Sequence, residues 1–185
     1  EALRHRRAAP GGQPGYLSGL METRGTLISV ARGAVRRDRL RGNLGRLGVV
    51  IARIALCDWL DPASIRDTAF HPDSFDKILL DVPCSNTGVM RRRVDVRWRL
   101  RPHDFVRLPA QQLGILRAAA RFLKPGGSLV HSTCSLDPQE NEAVVAAFLQ
   151  EHPAFSLTNS ERSLPWRDGA DGAFAARLHR PLAME

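Results

Sequence analysis

The sequence predicts an α/β domain built on a doubly wound, mostly parallel sheet. Three observations point there. Short apolar runs of strand length alternate with longer amphipathic stretches of helical period. Glycine and proline punctuate the joins, as at Pro10-Gly11-Gly12 and Lys124-Pro125-Gly126-Gly127. Two apolar runs end in cysteine motifs, Asp81-Val82-Pro83-Cys84 and Ser132-Thr133-Cys134-Ser135. The carboxyl ends of strands are where open α/β sheets hold their ligands.

The elements follow in order. Leu3-Arg4-His5-Arg6-Arg7 precedes the first turn and should be the first strand. A central parallel strand is buried on both faces, and this run is too charged for that, so the first strand is expected to be degraded. A short helix follows near Gly15–Met21, then a strand at Thr26–Val30. Val35–Leu47 reads as an amphipathic helix carrying Arg36, Arg37, Arg39 and Arg41. Arg53–Cys57 and Phe75–Asp81 are strands, and Gly88–Pro102 is a long basic loop. Asp104–Leu123 is a helix stopped by Lys124-Pro125-Gly126-Gly127. Ser128–Cys134 is a strand and Asp137–Gln150 a helix, with Pro138 in its first turn and Glu140 and Glu142 complementing the dipole. Phe155–Leu157 and Ala173–Leu178 close the sheet as an antiparallel pair.

A chain of 185 residues can bury a core of its own and forms a single domain, 1–185. The net charge of +8 comes almost wholly from arginine, since Lys77 and Lys124 are the only lysines. Arginine excess suits phosphate contacts and base stacking, which favours a polyanionic partner. Three cysteines without paired spacing argue against a disulfide framework and fit a reducing, cytoplasmic compartment. With no Cys-x-x-Cys pair and scattered histidines, no metal site is expected. No apolar run reaches membrane-spanning length, so no membrane association is expected. The chain is expected to be a monomer.

Both thiols and the Asp81 carboxylate should converge on one crevice. A thiolate there is a good carbon nucleophile near neutral pH, which points to covalent chemistry on a ring. Cys57 lacks such a context and reads as core. Small residues at Ala8-Ala9-Pro10-Gly11-Gly12 would let a ligand approach the backbone at a helix start, although such a run also serves as a plain turn. Asp58, just past a strand, could hold a base or cap a helix. Trp98 lies among arginines in Arg91–Arg101, an arrangement suited to unpaired RNA, unless the indole folds back onto the core.

These motifs, with Lys124-Pro125-Gly126-Gly127, Pro138-Gln139-Glu140-Asn141-Glu142 and Asp171-Gly172-Ala173-Phe174, resemble the RsmB/Sun family of RNA (cytosine-5) methyltransferases. The resemblance spans nearly the whole chain and corresponds to the family's catalytic domain, without its N-terminal RNA-binding extension. It implies a class I S-adenosylmethionine-dependent methyltransferase fold, Rossmann-like and seven-stranded. It further implies methylation of cytosine C5 in RNA, with ribosomal RNA as the expected partner. Cys134 would add to cytosine C6, Cys84 would assist release, and Asp81 would bond the ring near N3 while bordering the cofactor. Asp58 would lie beside the adenine. Ala8, Ala9, Pro10, Gly11, Gly12 and Gln13 would line the methionine and ribose of S-adenosylmethionine.

Three positions depart from the family pattern. Gln13-Pro14 stands where Lys and a hydroxyl residue are usual, Arg7 where a small residue is, and Ala31 where an acid grips the ribose. Absence of that bidentate carboxylate is expected to cost about 1.5–3 kcal/mol of cofactor binding. Two other readings stay open: a DNA cytosine-5 methyltransferase using Cys84, and a non-catalytic RNA-binding relative.

Overall fold

The computed structural model describes residues 2–6 and 12–182 of the chain. Seven strands form one sheet in the order β3-β2-β1-β4-β5-β7-β6. They are β1 (Ala2–Arg6), β2 (Thr26–Ala31), β3 (Ala52–Leu56), β4 (Phe75–Asp81), β5 (Leu123–Thr133), β6 (Ser156–Ser163) and β7 (Ala173–His179). The first five run parallel, and β7 pairs antiparallel with both β5 and β6. Helices α1 (Gly12–Leu20), α2 (Ala34–Arg46), α3 (Pro62–Arg66), α4 (Val96–Arg99), α5 (Asp104–Ala120), α6 (Glu142–Glu151) and α7 (Pro165–Asp168) complete the fold.

Burial explains the placement of these elements. Phe75, Ile78 and Leu80 of β4 are buried, as are Leu123 and Leu129 of β5. The spacing of Leu108, Gln112, Ile115, Leu116 and Ala119 gives α5 one inward stripe, which packs on β5 and α6. The main core joins that stripe to Val144, Val145 and Phe148 of α6 and Phe174 and Leu178 of β7. A second cluster, Leu40 and Leu44 of α2 against Val49, Ala52 and Ile54, seats α2 on β2 and β3.

Several expectations need correction. β1 takes an interior place in the sheet as a regular strand despite its charges, pairing with β2 through Arg4↔Ile28 and with β4 through Arg4↔Ile78. Without it, β2 and β4 would each present an edge of unpaired backbone groups. Helix α5 stops at Ala120, three residues early, because Phe122 and Leu123 turn inward and Leu123 pairs with Phe75. Lys124–Gly127 therefore lies within the irregular start of β5, where Gly126 adopts φ 76° and its N–H bonds to Arg180 and Pro181 carbonyls. Helix α6 starts at Glu142 and not Asp137; Pro138–Asn141 forms a separate turn, so Glu140 faces no helix dipole. The basic loop contains a 3-10 turn at Thr87–Val89 and helix α4. β6 runs on to Ser163, an exposed edge strand whose polar sequence carries no apolar alternation.

Candidate active site

The site is built where β4 and β5 end side by side. Asp81 pairs in register with Ser132, and Val82 N–H extends the ladder one step by donating to Ser132 C=O at 3.1 Å. Pro83 has no N–H and ends the pairing, releasing Cys84 from the sheet. Cys134 follows directly on β5. The two sulfurs lie 3.4 Å apart, Cys84 buried and Cys134 half-buried.

Asn86 locks this pair. Its backbone is left-handed (φ 62°), a conformation asparagine tolerates better than most residues. Its Nδ2 donates to Cys84 C=O at 2.8 Å, while Oδ1 accepts from Cys134 Sγ at 3.1 Å. Gly88 N–H donates to Cys134 C=O at 2.9 Å, tying the loop after β4 to the end of β5.

A buried polar network underlies both cysteine motifs. The Glu140 carboxylate accepts from Ser85 N–H at 2.8 Å, Gln112 Nε2 at 2.9 Å and Ser135 Oγ at 3.2 Å. Ser85 and Ser135 hydroxyls lie 3.0 Å apart. Thr133 Oγ1 donates to Asn141 Oδ1 at 2.6 Å, and Asn141 Nδ2 returns a bond to Ser135 C=O at 3.0 Å. The hydrogen bond with Cys134, and then burial, push the Cys84 thiol far up. Cys84 therefore stays protonated beside Cys134 and can donate to a Cys134 thiolate.

The expected cofactor edge is only partly in view. Ala8, Ala9, Pro10 and Gly11 lie outside the described residues. Gly12 and Gln13 are exposed at the start of α1. Asp58 follows β3, but its carboxylate pairs with Arg32 Nε at 2.7 Å and accepts from Leu60 N–H at 3.1 Å. It caps no helix; Asp61 does so for α3 through Ala63 N–H. Asp81 ends β4 half-buried, and Ala31 is buried at the end of β2. Cys57 is core, as its sequence context implies.

Comparison with known proteins decides the family. The chain matches the model of the 16S rRNA methyltransferases RsmB/F over residues 5–179. The chain belongs to the RsmB/F family. It is 39% identical over 159 residues to a probable ribosomal RNA small subunit methyltransferase B of Bacillus subtilis, covering 85% of this chain and 35% of that protein. It is 38% identical over 180 residues to the methyltransferase B of Vibrio cholerae, covering 94% and 40%. Among solved structures it resembles NSun6 from Pyrococcus horikoshii, determined with SFG, at a TM-score of 0.84 and 26% identity, over 97% of this chain and 47% of that one. A methyltransferase homologue from Pyrococcus horikoshii gives 0.78 and 28%, over 97% and 61%. This chain thus spans about two fifths of the length of the curated relatives.

Within this RsmB/F domain the basic loop is tied down by ion pairs. Arg91 and Arg92, expected on RNA, are both held by Asp171, at 2.7 and 2.9 Å. Arg91, and then Arg92, hold the Asp171 carboxyl below its ordinary range. Trp98 is 75% exposed, so it does not fold onto the core. Sequence reasoning passes over Asn86 and Gln112 as site residues and gives Glu140 only a helix-dipole role. Gln112 carries a legible signal, a polar residue inside the apolar stripe of α5; Asn86 carries none before its turn is seen. Among the described residues no helix is long and apolar enough to cross a membrane, and no cluster of three metal-ligating side chains occurs.

Proposed function

We propose that the chain is the catalytic domain of an RNA cytosine-5 methyltransferase acting on ribosomal RNA through a covalent cysteine adduct. The observation that carries this reading is the contact of Cys84 and Cys134 at 3.4 Å, on strand ends next to Asp81. C5 of cytosine is a poor nucleophile until a thiolate adds at C6. Cys134 forms that C6–S bond. Cys84, kept protonated, stands next to the attacking sulfur to assist its later release. Asp81, protonated or sharing a proton with the ring, hydrogen-bonds N3 and stabilises the negative charge that develops there. Once C5 carries the methyl group, its proton passes to water, the freed electron pair re-forms the C5–C6 double bond, and the Cys134 thiolate is expelled.

The residues present suit S-adenosylmethionine. Carboxylates follow β3 and end β4, at Asp58 and Asp81, and the first amides of α1 lack intrahelical partners. Asp58 would take the adenine side, and Gly12 and Gln13 the methionine side. When bound, the cofactor supplies an electrophilic methyl group. Ala31 offers no carboxylate to the ribose, which weakens the hold on it.

Trapping on RNA containing 5-fluorocytidine tests the reading, because fluorine at C5 blocks the final elimination. The wild-type chain should form a stable adduct mapped by mass spectrometry to Cys134. Cys134→Ala should form none, and Cys84→Ala should accumulate adduct even on ordinary RNA. An adduct that survives Cys134→Ala and vanishes in Cys84→Ala would make Cys84 the nucleophile, as in the DNA-type mechanism.

A further inference from the structure

A cleft of about 430 Å³ opens beside the thiol pair, with Cys84, Ser85 and Asn86 in its lining. Four guanidinium groups ring it from three parts of the chain: Arg36 in the first turn of α2, Arg93 and Arg99 around α4, and Arg107 on α5. Asp104 also lines it, but its carboxylate is taken by Arg107 at 2.6 Å. Arg99 pairs with Asp95 at 2.9 Å. Arg36 and Arg93 have no ion-pair partner among the described residues, and both are exposed. Asp95 and Asp104 balance Arg99 and Arg107, so Arg36 and Arg93 supply the uncompensated positive charge, which attracts an anion to the cleft. Arginine forks match phosphate oxygens in pairs.

We propose that Arg36, Arg93, Arg99 and Arg107 form a phosphodiester-binding subsite for the RNA strand flanking the target cytosine, on the Cys84 side of the thiol pair. The proposal rests on the RNA methyltransferase reading and adds to it the path of the strand. The cleft touches the cysteine loop itself, so a phosphate held there lies next to the nucleotide presented to Cys134. Its volume is that of a small-ligand site, suited to a phosphodiester and part of a nucleotide but not to a duplex. The split within Arg91–Arg101 follows from the ion pairs. Arg91 and Arg92 serve Asp171 and hold the loop, whereas Arg93 has no ion pair among the described residues and Arg99, steadied by Asp95, lines the cleft beside it. A second cleft of about 480 Å³, beside Ser132, offers a contrast. Its arginines are engaged, Arg162 with Glu142 and Arg167 with Asp168.

Fluorescence anisotropy with a single-stranded RNA dodecamer containing one 5-fluorocytidine, over a series of salt concentrations, tests the subsite. R36A/R93A should weaken binding at least tenfold at low salt. It should also flatten the plot of log affinity against log salt by about 1.4, since each single-strand phosphate left without its arginine lowers the slope by about 0.7. R167A/R177A removes the same charge elsewhere and should keep the wild-type slope. Alkylation of Cys134 by iodoacetamide at the wild-type rate should accompany the R36A/R93A loss. Equal slopes in R36A/R93A and R167A/R177A would overturn the subsite, as would a binding loss accompanied by altered alkylation. Wild-type adduct formation with an unchanged R36A/R93A slope would overturn the subsite alone. Absence of any adduct in the wild type would overturn the methyltransferase reading, and the subsite with it.

Discussion

Glu140 takes a carboxylate into the interior with no cation partner among the described residues. Three donors replace its water: Ser85 N–H from one cysteine loop, Ser135 Oγ from the other and Gln112 Nε2 from α5. It therefore joins the two loops that set the sulfur separation. Glu140→Ala would orphan buried donors, each costing about 1–3 kcal/mol. We expect a loss of roughly 3 kcal/mol or more in urea unfolding, together with altered alkylation of Cys134. Glu140→Gln keeps an acceptor for the Ser85 and Gln112 donors, while the Ser135 hydroxyl can rotate to accept, so most of the stability should return. Equal losses in both variants would mean that the charge, not the bonding, matters. The sequence shows Cys84, Cys134 and Asp81 because each sits in a motif ending an apolar run. It hides Glu140, since an acid two residues after proline fits an exposed helix start equally well. Only the observed turn at Pro138–Asn141 turns that side chain inward.

At the scale of elements, the loop after β4 is pinned by backbone meeting backbone. Gly88 N–H donates to Cys134 C=O, and Gly172 N–H donates to Gly88 C=O at 2.8 Å. A Cβ on Gly88 would stand 2.7 and 2.8 Å from the carbonyl carbon and Cα of Gly172, which cannot rotate away as a side chain could. Gly88→Ala should thus destabilise by roughly 1–3 kcal/mol or more and displace the cysteine loop. Thermal unfolding together with 5-fluorocytidine trapping reads both effects. A wild-type melting temperature would show that the two loops can part without penalty. The same contrast governs what the sequence reveals of the fold. β2, β4 and α2 are legible from apolar period, and their observed bounds lie within one or two residues of those read. Close approaches between distant glycines leave no local pattern, and neither does the polar edge strand β6 or the inward turn of Phe122 that cuts α5 short. β1 is the reverse case, since its composition argues for a degraded strand while backbone pairing on both sides holds it in.

For the molecule as a whole, the pH dependence of stability should be dominated over one window by His131. This residue of β5 is fully buried, with Nε2 3.3 Å from the Glu140 carbonyl and the ring edge-on to Phe174. Nδ1 has no hydrogen-bond partner among the described residues. Burial lowers its pKa from 6.5 to about 4, against a smaller upward pull from the Glu140 carbonyl. Between these values the unfolded chain binds a proton that the folded chain refuses, so stability is full above pH 6.5 and falls as pH drops toward 4. The whole shift corresponds to roughly 3 kcal/mol. The carboxylates Asp104, Asp168 and Asp171 have lowered pKa values, mainly through Arg107, Arg167 and Arg91 respectively. Their stabilisation is lost only as pH falls below about 4, the ordinary carboxylate range. The two windows therefore separate, and the slope from pH 6.5 to 4 reports on His131. Urea unfolding at half-unit steps should show stability declining across that window in the wild type and nearly level in His131→Gln, whatever that variant's own stability. A parallel decline in both would assign the window to another group. A level wild-type curve would mean that His131 accepts its proton inside the fold.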